Sequence, residues 1–331
     1  MNGAAEPTIL SIVLPCYNEQ ESIAEAYKQL TTVLSGLHLP FEIIFVDDGS
    51  RDDTPRLLAE LHAKDPRVKV ICLSRNFGHQ IALSAGLEHA CGQAVVFMDS
   101  DLQDPPEVVA TMVQRWNEGW DVVYGTRIER EGEGWFKLSA AKLFYRVINS
   151  ISQIPIPLDT GDFRLMDRKV VDALLTLPER DRFLRGMVSW VGFSQTAVTF
   201  RRAPRAGGAT KYPFWKSLRL ATDGILSFSI VPLRIATILG LTVSFASMMG
   251  VIIALVTRLF TRHWVTGWTS LFLAILFLGG VQLVCLGIFG EYLGRIYGET
   301  KHRPLYVVRE RLGFRTTVPR ASRPSAVGQS E

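Results

Sequence analysis

Two long uncharged segments in the last third of the chain restrict the folds that it can adopt. No Asp, Glu, Lys or Arg occurs in the 23 residues 235–257 or in the 27 residues 264–290. About 20 apolar residues in a helix cross the hydrocarbon layer of a membrane, and helices of soluble proteins average only ~11–12 residues. The sequence therefore predicts membrane-spanning helices at about 235–257 and 266–290. A pair of buried core helices is the less favoured alternative.

Basic residues flank these spans and indicate their orientation. Lys and Arg concentrate on the cytoplasmic side of membranes, although Arg258 and Arg262 in the short connection weaken the contrast here. The first ten residues, MNGAAEPTIL, lack the basic and long apolar regions of a signal peptide. We therefore expect a multi-pass protein of the inner (plasma) membrane with both termini cytoplasmic. The flanking basic residues are Lys211, Lys216, Arg219 and Arg234 before the spans and Arg295, Lys301, Arg303, Arg309 and Arg311 after them.

The first half of the chain alternates short apolar runs with amphipathic stretches. Nearly continuous apolar runs suit strands that are buried on both faces, and strands that alternate with helices favour a doubly wound, mostly parallel α/β sheet. The predicted strands are 9–15, 41–48, 68–74, 94–101 and 121–126, and the predicted helices lie near 20–36, 53–63, 79–90 and 106–117.

A polar cluster follows each predicted strand, and ligands of such sheets bind beyond the carboxyl ends of the strands. The clusters are CYNEQE, DDGSRDDT, RNFGHQ, DSDLQD and TR. In DSDLQD, Asp99 and Asp101 repel one another unless a cation lies between them. Hard cations such as Mg²⁺ or Mn²⁺ prefer oxygen ligands and keep positions for phosphate oxygens, and Gln103 offers an amide oxygen. Two acids that merely face solvent are the alternative.

The neighbouring clusters suggest recognition of a nucleotide. Asp47, Asp48, Asn18 and Glu19 supply more polar groups than a phosphate site needs. An Asp can accept a hydrogen bond from a pyrimidine imide, and Tyr17 can stack on the ring. The alternatives are a turn-forming role for Asp48 in D-D-G-S and a core position for Tyr17.

Six motifs together resemble a known family. SIVLPCYNEQESI, IIFVDDGSRDDT, LSRNFGHQIALSAGL, FMDSDLQDPPE, TGDFRLMDR and GGATKY, followed by two C-terminal spans, are similar to the family 2 glycosyltransferases of GT-A fold that glycosylate polyprenyl phosphate. These include bactoprenol (undecaprenyl-phosphate) glucosyltransferases and dolichol-phosphate mannose synthases. The resemblance extends to about residue 312. The Q-x-x-R-W motif of the processive synthases is absent from ERDRFLRGMVSWVG, which favours a single sugar transfer over chain growth.

The resemblance implies roles for individual residues. It implies that Asp99, Asp101 and Gln103 hold the metal and that Asp162, together with Asp101, is catalytic. Pairing of Asp162 with Arg164, or capping of the helix that begins near Asp167, is the alternative. It assigns the nucleotide sugar to Pro15, Tyr17, Asn18, Glu19, Asp48, Asp99, Ser100 and Asp101. It assigns the acceptor phosphate to Arg127 and, as looser matches, to Lys137, Arg202, Arg205 and Lys211, for which attraction to anionic headgroups is the alternative.

The function expected from this resemblance is the inverting, metal-dependent transfer of one hexose, with UDP-glucose favoured, to a polyprenyl phosphate. The expected partners are the nucleotide sugar, the lipid phosphate and the membrane, with Mg²⁺ or Mn²⁺ as cofactor and a homo-oligomer as a further expectation. The net charge of +4 is modest and no nucleic-acid-binding motif occurs, so we expect no nucleic-acid partner. The alternatives are a mannosyl or aminosugar transferase and a non-catalytic nucleotide-sugar-binding membrane protein.

These features predict four regions. The cytosolic GT-A catalytic domain is expected at 1–212, juxtamembrane interfacial helices at 213–233 and the two-helix transmembrane hairpin at 234–293. A cytosolic C-terminal segment with a disordered tail is expected at 294–331. A basic, aromatic stretch at 135–150 is predicted to be an amphipathic helix, either at the membrane interface or on the protein surface.

Overall fold

A computed structural model describes residues 9–101, 103–127, 160–201, 231–260 and 267–314 of the 331-residue chain. Its described part contains one eight-stranded sheet. The strands are β1 (Leu10–Cys16), β2 (Phe41–Asp47), β3 (Val68–Leu73), β4 (Ala94–Phe97), β5 (Val122–Arg127), β6 (Thr160–Asp167), β7 (Gln195–Phe200) and β8 (Val308–Leu312).

Helices occupy the connections between most of these strands. Residues 128–159 and 202–230, which contain the predicted amphipathic helix and most of the predicted interfacial segment, lie outside the described residues, as does the predicted tail from 315 onwards. The helices are α1 (Ile23–Gly36), α2 (Thr54–Lys64), α3 (His79–His89), α4 (Val108–Asn117), α5 (Arg168–Thr176), α6 (Leu184–Trp190), α7 (Val231–Phe260) and α8 (Trp268–Thr300).

The sheet is mostly parallel. Its order is β7-β5-β6-β4-β1-β2-β3-β8. β1 is parallel to β2 and β4, β2 is parallel to β3, and β5 is parallel to β7. Only β6 and β8 run antiparallel to their neighbours among these eight strands. The parallel strands β1 to β4 therefore end at one edge of the sheet, and the polar clusters that follow these strands in the sequence lie at that edge.

Helices cover both faces of the sheet, as a doubly wound fold requires. On one face α1, α2 and α4 bury Leu30, Leu58 and Met112 against alternate residues of the strands. On the other face α3, α5 and α6 bury residues such as Leu83 and Met187. The strands are buried on both sides because their apolar residues alternate between these two cores, and the predicted fold class is confirmed.

The two long helices have the length and composition of membrane spans. The apolar windows Leu233–Gly250 and Phe277–Thr300 are 6% and 0% buried, respectively. Large side chains such as Phe245 and Leu259 are 71% and 79% exposed. The alternative of buried core helices is therefore wrong. The two helices contact one another, and α8 continues ten residues beyond Gly290, where the uncharged run ends.

The strands differ from the sequence prediction at four places, because β4 is shorter than predicted and β6, β7 and β8 were not predicted. The apolar run at 94–101 forms a strand only as far as Phe97, so Asp99 and Asp101 lie in the turn beyond it. The antiparallel strands β6 and β8 were not predicted, because TGDFRLMD and VRERL carry charged residues where a buried strand usually has apolar ones.

Candidate active site

The loops that follow β1, β2 and β4 meet at one edge of the sheet. Cys16 at the end of β1 lies opposite Asp47 at the end of β2, and Met98 just beyond β4 donates its backbone N–H to Val13 of β1 (3.2 Å). The buried Ser100 hydroxyl donates to the carbonyl oxygen of Pro15 (2.9 Å). The acidic turn, which carries Asp99, Ser100 and Asp101, is thus fixed directly beside the loop after β1.

Side chains from the loop after β2 fix the loop after β1. Asn18 has a positive φ of 54°, which Asn tolerates better than most residues. Its N–H donates to Ser50 Oγ, and its Oδ1 accepts from the N–H of Arg51, each at 2.9 Å. The N–H of Glu19 donates to Thr54 Oγ1 (3.0 Å). These hydrogen bonds preorganise residues 17–19 without using the Tyr17 ring.

Tyr17 is 43% exposed beside this loop. The alternative of a core aromatic is therefore wrong for Tyr17. An exposed ring on a fixed loop offers a face on which a nucleobase can stack.

The two acids after β2 have different partners. Asp47 forms the side-chain bond of the D-D-G-S turn, because its Oδ1 accepts from the N–H of Ser50 (2.9 Å). Asp48, 3% exposed, instead accepts from the backbone N–H groups of Phe77 (2.7 Å) and Gly78 (2.9 Å). Burial raises the pKa of Asp48, although both backbone donors oppose this shift. Asp48 thereby connects β2 to the start of α3.

The acidic turn carries oxygen donors that suit a divalent cation. The side chain of Asp99 is 30% exposed, and Asp101 Oδ1 accepts from the N–H of Gln103 (3.2 Å). Within the described part of the chain, no three His, Cys, Asp or Glu side chains form a complete metal-binding group. Two carboxylates and an amide fit Mg²⁺ or Mn²⁺ if water and phosphate oxygens supply the remaining ligands, which is how Mg²⁺ is usually bound.

Asp162 lies on β6 within a set of polar partners, and its side chain is only 9% exposed. Arg185 of α6 contacts both carboxylate oxygens, through Nε to Oδ1 (2.8 Å) and through Nη2 to Oδ2 (3.3 Å). Gln80 Nε2 donates to Oδ2 (3.0 Å), and His79 Nε2 lies 3.2 Å from the same oxygen. His79 Nε2 also lies 3.7 Å from Asp99 Oδ1. His79 therefore bridges the acidic turn and Asp162.

These partners fix the charge of Asp162. Burial alone raises the pKa of Asp162, but the hydrogen bond with His79 and the charge of Arg185 outweigh burial and hold that pKa well below its usual range. Burial lowers the pKa of His79, yet Asp162 and Asp99 outweigh that effect and raise it above the ordinary value. Asp162 is an anion at neutral pH.

Both alternative roles for Asp162 are wrong. The buried Arg164 donates through Nη2 to the carbonyl oxygen of Gly161 (3.1 Å), and Asp162 is paired with Arg185 instead. The cap of α5 is Asp167, whose side chain accepts from the N–H of Lys169 (3.0 Å).

The sequence analysis missed His79, Gln80 and Arg185 as site residues. A signal for the first two was present, because RNFGHQ follows a predicted strand. Arg185 had no such signal, since it follows no predicted strand and reaches Asp162 only through the packing of α6.

The predicted acceptor residues lie at or beyond the limits of the described chain. Arg127 ends β5, where its backbone pairs with Phe200 of β7. Its side chain, and all of Lys137, Arg202, Arg205 and Lys211, lie outside the described residues.

Comparison with known proteins identifies a family and several relatives. Residues 11–175 match Glycosyl transferase family 2. The chain is 49% identical to Uncharacterized glycosyltransferase sll0501 of Synechocystis sp., over 92% of this chain and 96% of that protein. It is 43% identical to Bactoprenol glucosyl transferase of Shigella phage SfV, over 91% of this chain and 98% of that protein.

Solved structures give a weaker likeness. Glucosyl-3-phosphoglycerate synthase from Mycobacterium tuberculosis, in complex with Mn²⁺, UDP-glucose and phosphoglyceric acid, matches with a TM-score of 0.44 and 24% identity. The match covers 67% of this chain and 78% of that one. It adds nothing to what the sequence relatives establish.

Proposed function

The chain belongs to glycosyl transferase family 2 and is a glycosyltransferase; we propose that it transfers one hexose, with UDP-glucose as the favoured donor, to the phosphate of a polyprenyl phosphate at the cytoplasmic face of a membrane. The observation that carries this proposal is the contact network from Asp99 through His79 to Asp162, beside the exposed Tyr17. The name of the Shigella phage relative supports glucose and a polyprenyl acceptor, because the two chains align over nearly their whole length.

The donor lies across the carboxyl ends of β1, β2 and β4 in this proposal. Tyr17 stacks on the base, and Pro15, Asn18, Glu19 and Asp48 surround the nucleoside. Asp99 and Asp101, with Ser100 between them, face the diphosphate. Asp99, Asp101 and Gln103 would hold Mg²⁺ or Mn²⁺, which neutralises charge on the departing diphosphate when it is bound.

The reaction is a single displacement with inversion at the anomeric carbon. A bond forms between that carbon and an oxygen of the lipid phosphate while the bond to the β-phosphate oxygen breaks, and the nucleoside diphosphate leaves with the electron pair. A phosphate monoester has a second pKa near ~6, so its oxygen is already mostly ionised at neutral pH. The step therefore needs no strong general base.

Asp162 acts by position and charge in this mechanism. A carboxylate with a pKa far below the working pH is a poor base. Held by Arg185 and Gln80, it can accept hydrogen bonds from sugar hydroxyls. Its negative charge also stabilises positive charge that develops on the sugar ring in the transition state.

The acceptor phosphate approaches from the membrane side. We assign it to Arg127, Lys137, Arg202, Arg205 and Lys211, because Arg and Lys bind phosphate strongly when several converge. The proposed layout is a cytosolic catalytic region at 1–212, an interfacial segment at 213–233 and spans within 234–293, with residues 294–331 cytosolic. A homo-oligomer in the inner (plasma) membrane, with both termini cytoplasmic, completes the proposal.

A transfer assay tests the proposal. The full chain in detergent or nanodiscs, supplied with radiolabelled UDP-glucose, a polyprenyl phosphate and Mg²⁺ or Mn²⁺, is expected to produce labelled lipid. Asp99→Ala and Asp101→Ala should each abolish the product, because the site would no longer hold the divalent cation that balances the charge of the diphosphate. Asp172 is an exposed acid on α5, and Asp172→Ala should leave the product unchanged. Full turnover in both site variants would refute the metal assignment.

Binding measurements choose between this donor and the alternatives. The thermal unfolding midpoint with metal should rise most with UDP-glucose and less with UDP-GlcNAc or GDP-mannose. A rise with only GDP-mannose or UDP-GlcNAc would instead identify a mannosyl or aminosugar transferase. Binding without any labelled lipid, whichever acceptor is supplied, would identify a non-catalytic binding protein.

A further inference from the structure

The strand that follows the second long helix lies beside the nucleotide end of the proposed site. β8 pairs antiparallel with β3, and its first residue, Val308, lies opposite Leu73 at the carboxyl end of β3. The N–H of Ser74 donates to the carbonyl oxygen of Val307 (2.8 Å), which extends the pairing beyond the end of β3. The start of β8 is therefore at the same sheet edge as the loops after β1 and β2.

A bulge aims one side chain of β8 toward that edge. Val308 pairs with Leu73 and Glu310 pairs with Cys72, so Arg309 between them has no opposite residue on β3. An extra residue of this kind bends the strand and redirects its side chain. Arg309 Nη2 consequently lies 3.8 Å from Asp47 Oδ2, on the far side of β3.

Asp47 needs a positive neighbour. Its side chain is fully buried, and its Oδ1 accepts from the N–H of Ser50. Its Oδ2 receives no hydrogen bond from the described part of the chain. A buried carboxylate is costly unless a nearby cation or hydrogen bond compensates for lost water. Arg309 supplies that charge while half of its own side chain stays in solvent.

Asp47 in turn holds the loop that carries Tyr17. The backbone N–H of Ser50 donates to Asp47, and the Oγ of Ser50 accepts from the N–H of Asn18. Arg309, Asp47, Ser50 and Asn18 therefore form one continuous chain of contacts from β8 to the loop after β1.

The segment around Arg309 is itself fixed to α3. The Tyr306 hydroxyl donates to the Glu88 carboxylate, and the Phe314 ring packs edge-on against His89 with centroids 5.3 Å apart. Burial and the bond to Glu88 raise the pKa of Tyr306, so it stays a hydrogen-bond donor at neutral pH. These contacts on both sides of β8 hold Arg309 in place.

We propose that Arg309 is a positioning residue of the donor site, which acts through Asp47 and Ser50 to hold the 17–19 loop in the conformation that binds the nucleoside of the sugar donor. This inference rests on the proposed function, since it assumes that residues 17–19 bind a nucleotide. It assigns a role in donor binding to a strand that the chain reaches only after both long helices.

The test compares Arg309→Gln with the matched control Arg311→Gln in the full-length protein. Arg311 lies on the same strand but contacts His89 (3.3 Å). Isothermal titration with UDP and Mn²⁺, in the absence of any acceptor, should show affinity weakened roughly tenfold in Arg309→Gln, since a buried carboxylate loses its partner. Arg311→Gln should match the unchanged protein. Arg309→Lys should recover part of the affinity because it restores the charge.

A double-mutant cycle separates positioning from general damage. In an Asp47→Asn background the charge that Arg309 compensates is gone, so Arg309→Gln should then change UDP affinity less than twofold.

Sugar transfer by Arg309→Gln should show a raised KM for the sugar donor. Its kcat and its KM for lipid phosphate should stay within about twofold of the values of the unchanged protein. Equal losses in both backgrounds, or unchanged UDP affinity in the single variant, would overturn the inference. Failure of the unchanged protein to transfer sugar, with UDP still bound in this pattern, would count against the proposed function alone.

Discussion

At the scale of single residues, the arrangement around Asp162 separates two kinds of carboxylate. The side chain of Asp99 is 30% exposed and lies next to His79, so a divalent cation can reach it from solvent. Asp162 is nearly buried and already bound by Arg185, Gln80 and His79. The first kind can change its ligands during a reaction, whereas the second keeps a fixed charge in a fixed position. In the proposed reaction, this difference suits Asp99 to hold a divalent cation beside the donor diphosphate and Asp162 to orient the sugar.

Arg185→Gln tests this role for Asp162. The substitution removes the two-point contact that orients the carboxylate, so we expect kcat for sugar transfer to fall about 100-fold, the loss typical of a small misplacement in an active site. The KM for the nucleotide sugar should change little, because the proposed role of Arg185 is to orient Asp162 and not to bind the nucleoside. Steady-state kinetics of the full chain measure both constants.

Two comparisons make the Arg185 experiment decisive. Arg115→Gln, which removes an exposed arginine paired with Glu118 on the surface, should leave both constants unchanged. Arg185→Lys should recover only part of kcat, since an ammonium group cannot reproduce the forked contact. A KM effect as large as the kcat effect would show that Arg185 serves donor binding instead.

Some residues of the candidate site could be singled out from the sequence, and others could not. Asp99, Asp101 and Gln103 occupy one short stretch after an apolar run, so local pattern was sufficient to single them out. Arg185 is 23 positions from Asp162, and His79 and Gln80 are about 80 positions from it. Only the antiparallel insertion of β6 and the packing of α6 bring these residues together, and no local pattern encodes that arrangement.

At the scale of elements, α3 determines where His79 and Gln80 lie. This helix crosses β1 at Gly86, where an added Cβ would lie 2.2 Å from Val13 Cγ1. Glycine is needed here for close approach, because Val13 is a stiff β-branched residue in the middle of a strand that is paired on both sides. The contact sets the height of α3 above the sheet and thereby the position of its first turn.

Gly86→Ala is expected to destabilise the protein and impair its activity. The extra methyl must push α3 away from β1, and overpacking of this kind costs about 1–3 kcal/mol. The thermal unfolding midpoint should fall, and kcat should fall with it as His79 and Gln80 move relative to Asp162. Gly36→Ala is the control: it lies in α1 with no atom within 4 Å of the added Cβ, so it should leave activity unchanged. An unaltered melting point for Gly86→Ala would contradict the packing argument.

Strand prediction succeeded where a buried strand is continuously apolar and failed where a strand carries charged residues or lies at an edge of the sheet. β1 and β2 are paired on both edges and covered on both faces, so they require continuous apolar runs that are visible in the sequence. β6 carries Asp162 and the buried Arg164, and both are held by polar partners that come from distant positions or from the strand itself. β8 is an edge strand whose VRERL sequence shows mostly exposed side chains. Its pairing with β3 depends on backbone hydrogen bonds, which the sequence does not reveal.

At the scale of the whole molecule, α8 contacts the catalytic part of the chain beyond Gly290, where its uncharged run ends. Arg295 Nη1 lies 2.9 Å from Asp181 Oδ2, and Glu299 Oε1 accepts from the N–H of Arg180 (2.8 Å). A cavity of about 420 Å³ is lined by Arg180 and Asp181 on one side and by the face of α8 that carries Gly290, Gly294 and Gly298 on the other. The apolar composition of the helix could be predicted from the sequence. The polar junction, which consists of the Arg295–Asp181 and Glu299–Arg180 contacts, could not.

A charge swap tests whether the junction orients the catalytic part toward the proposed lipid acceptor. Asp181→Arg places two positive charges together and should lower the rate of transfer to a membrane-embedded acceptor by up to about fivefold, since a partly exposed ion pair contributes ~0.2–1 kcal/mol. The double variant Asp181→Arg with Arg295→Asp restores opposite charges and should recover the rate. Transfer assays in nanodiscs measure both. A double variant as slow as the single one would show that the pair itself does not matter.

The position of β8 at the outer edge of the sheet also has a consequence for biosynthesis. The ribosome delivers β3 early, yet the strand that covers its free edge emerges only after both long apolar helices have been made. Until then the nascent chain displays an unpaired backbone edge, with which other chains can pair and aggregate. Completion of the sheet is therefore a late event in synthesis, and a chain truncated within either apolar helix leaves that edge bare.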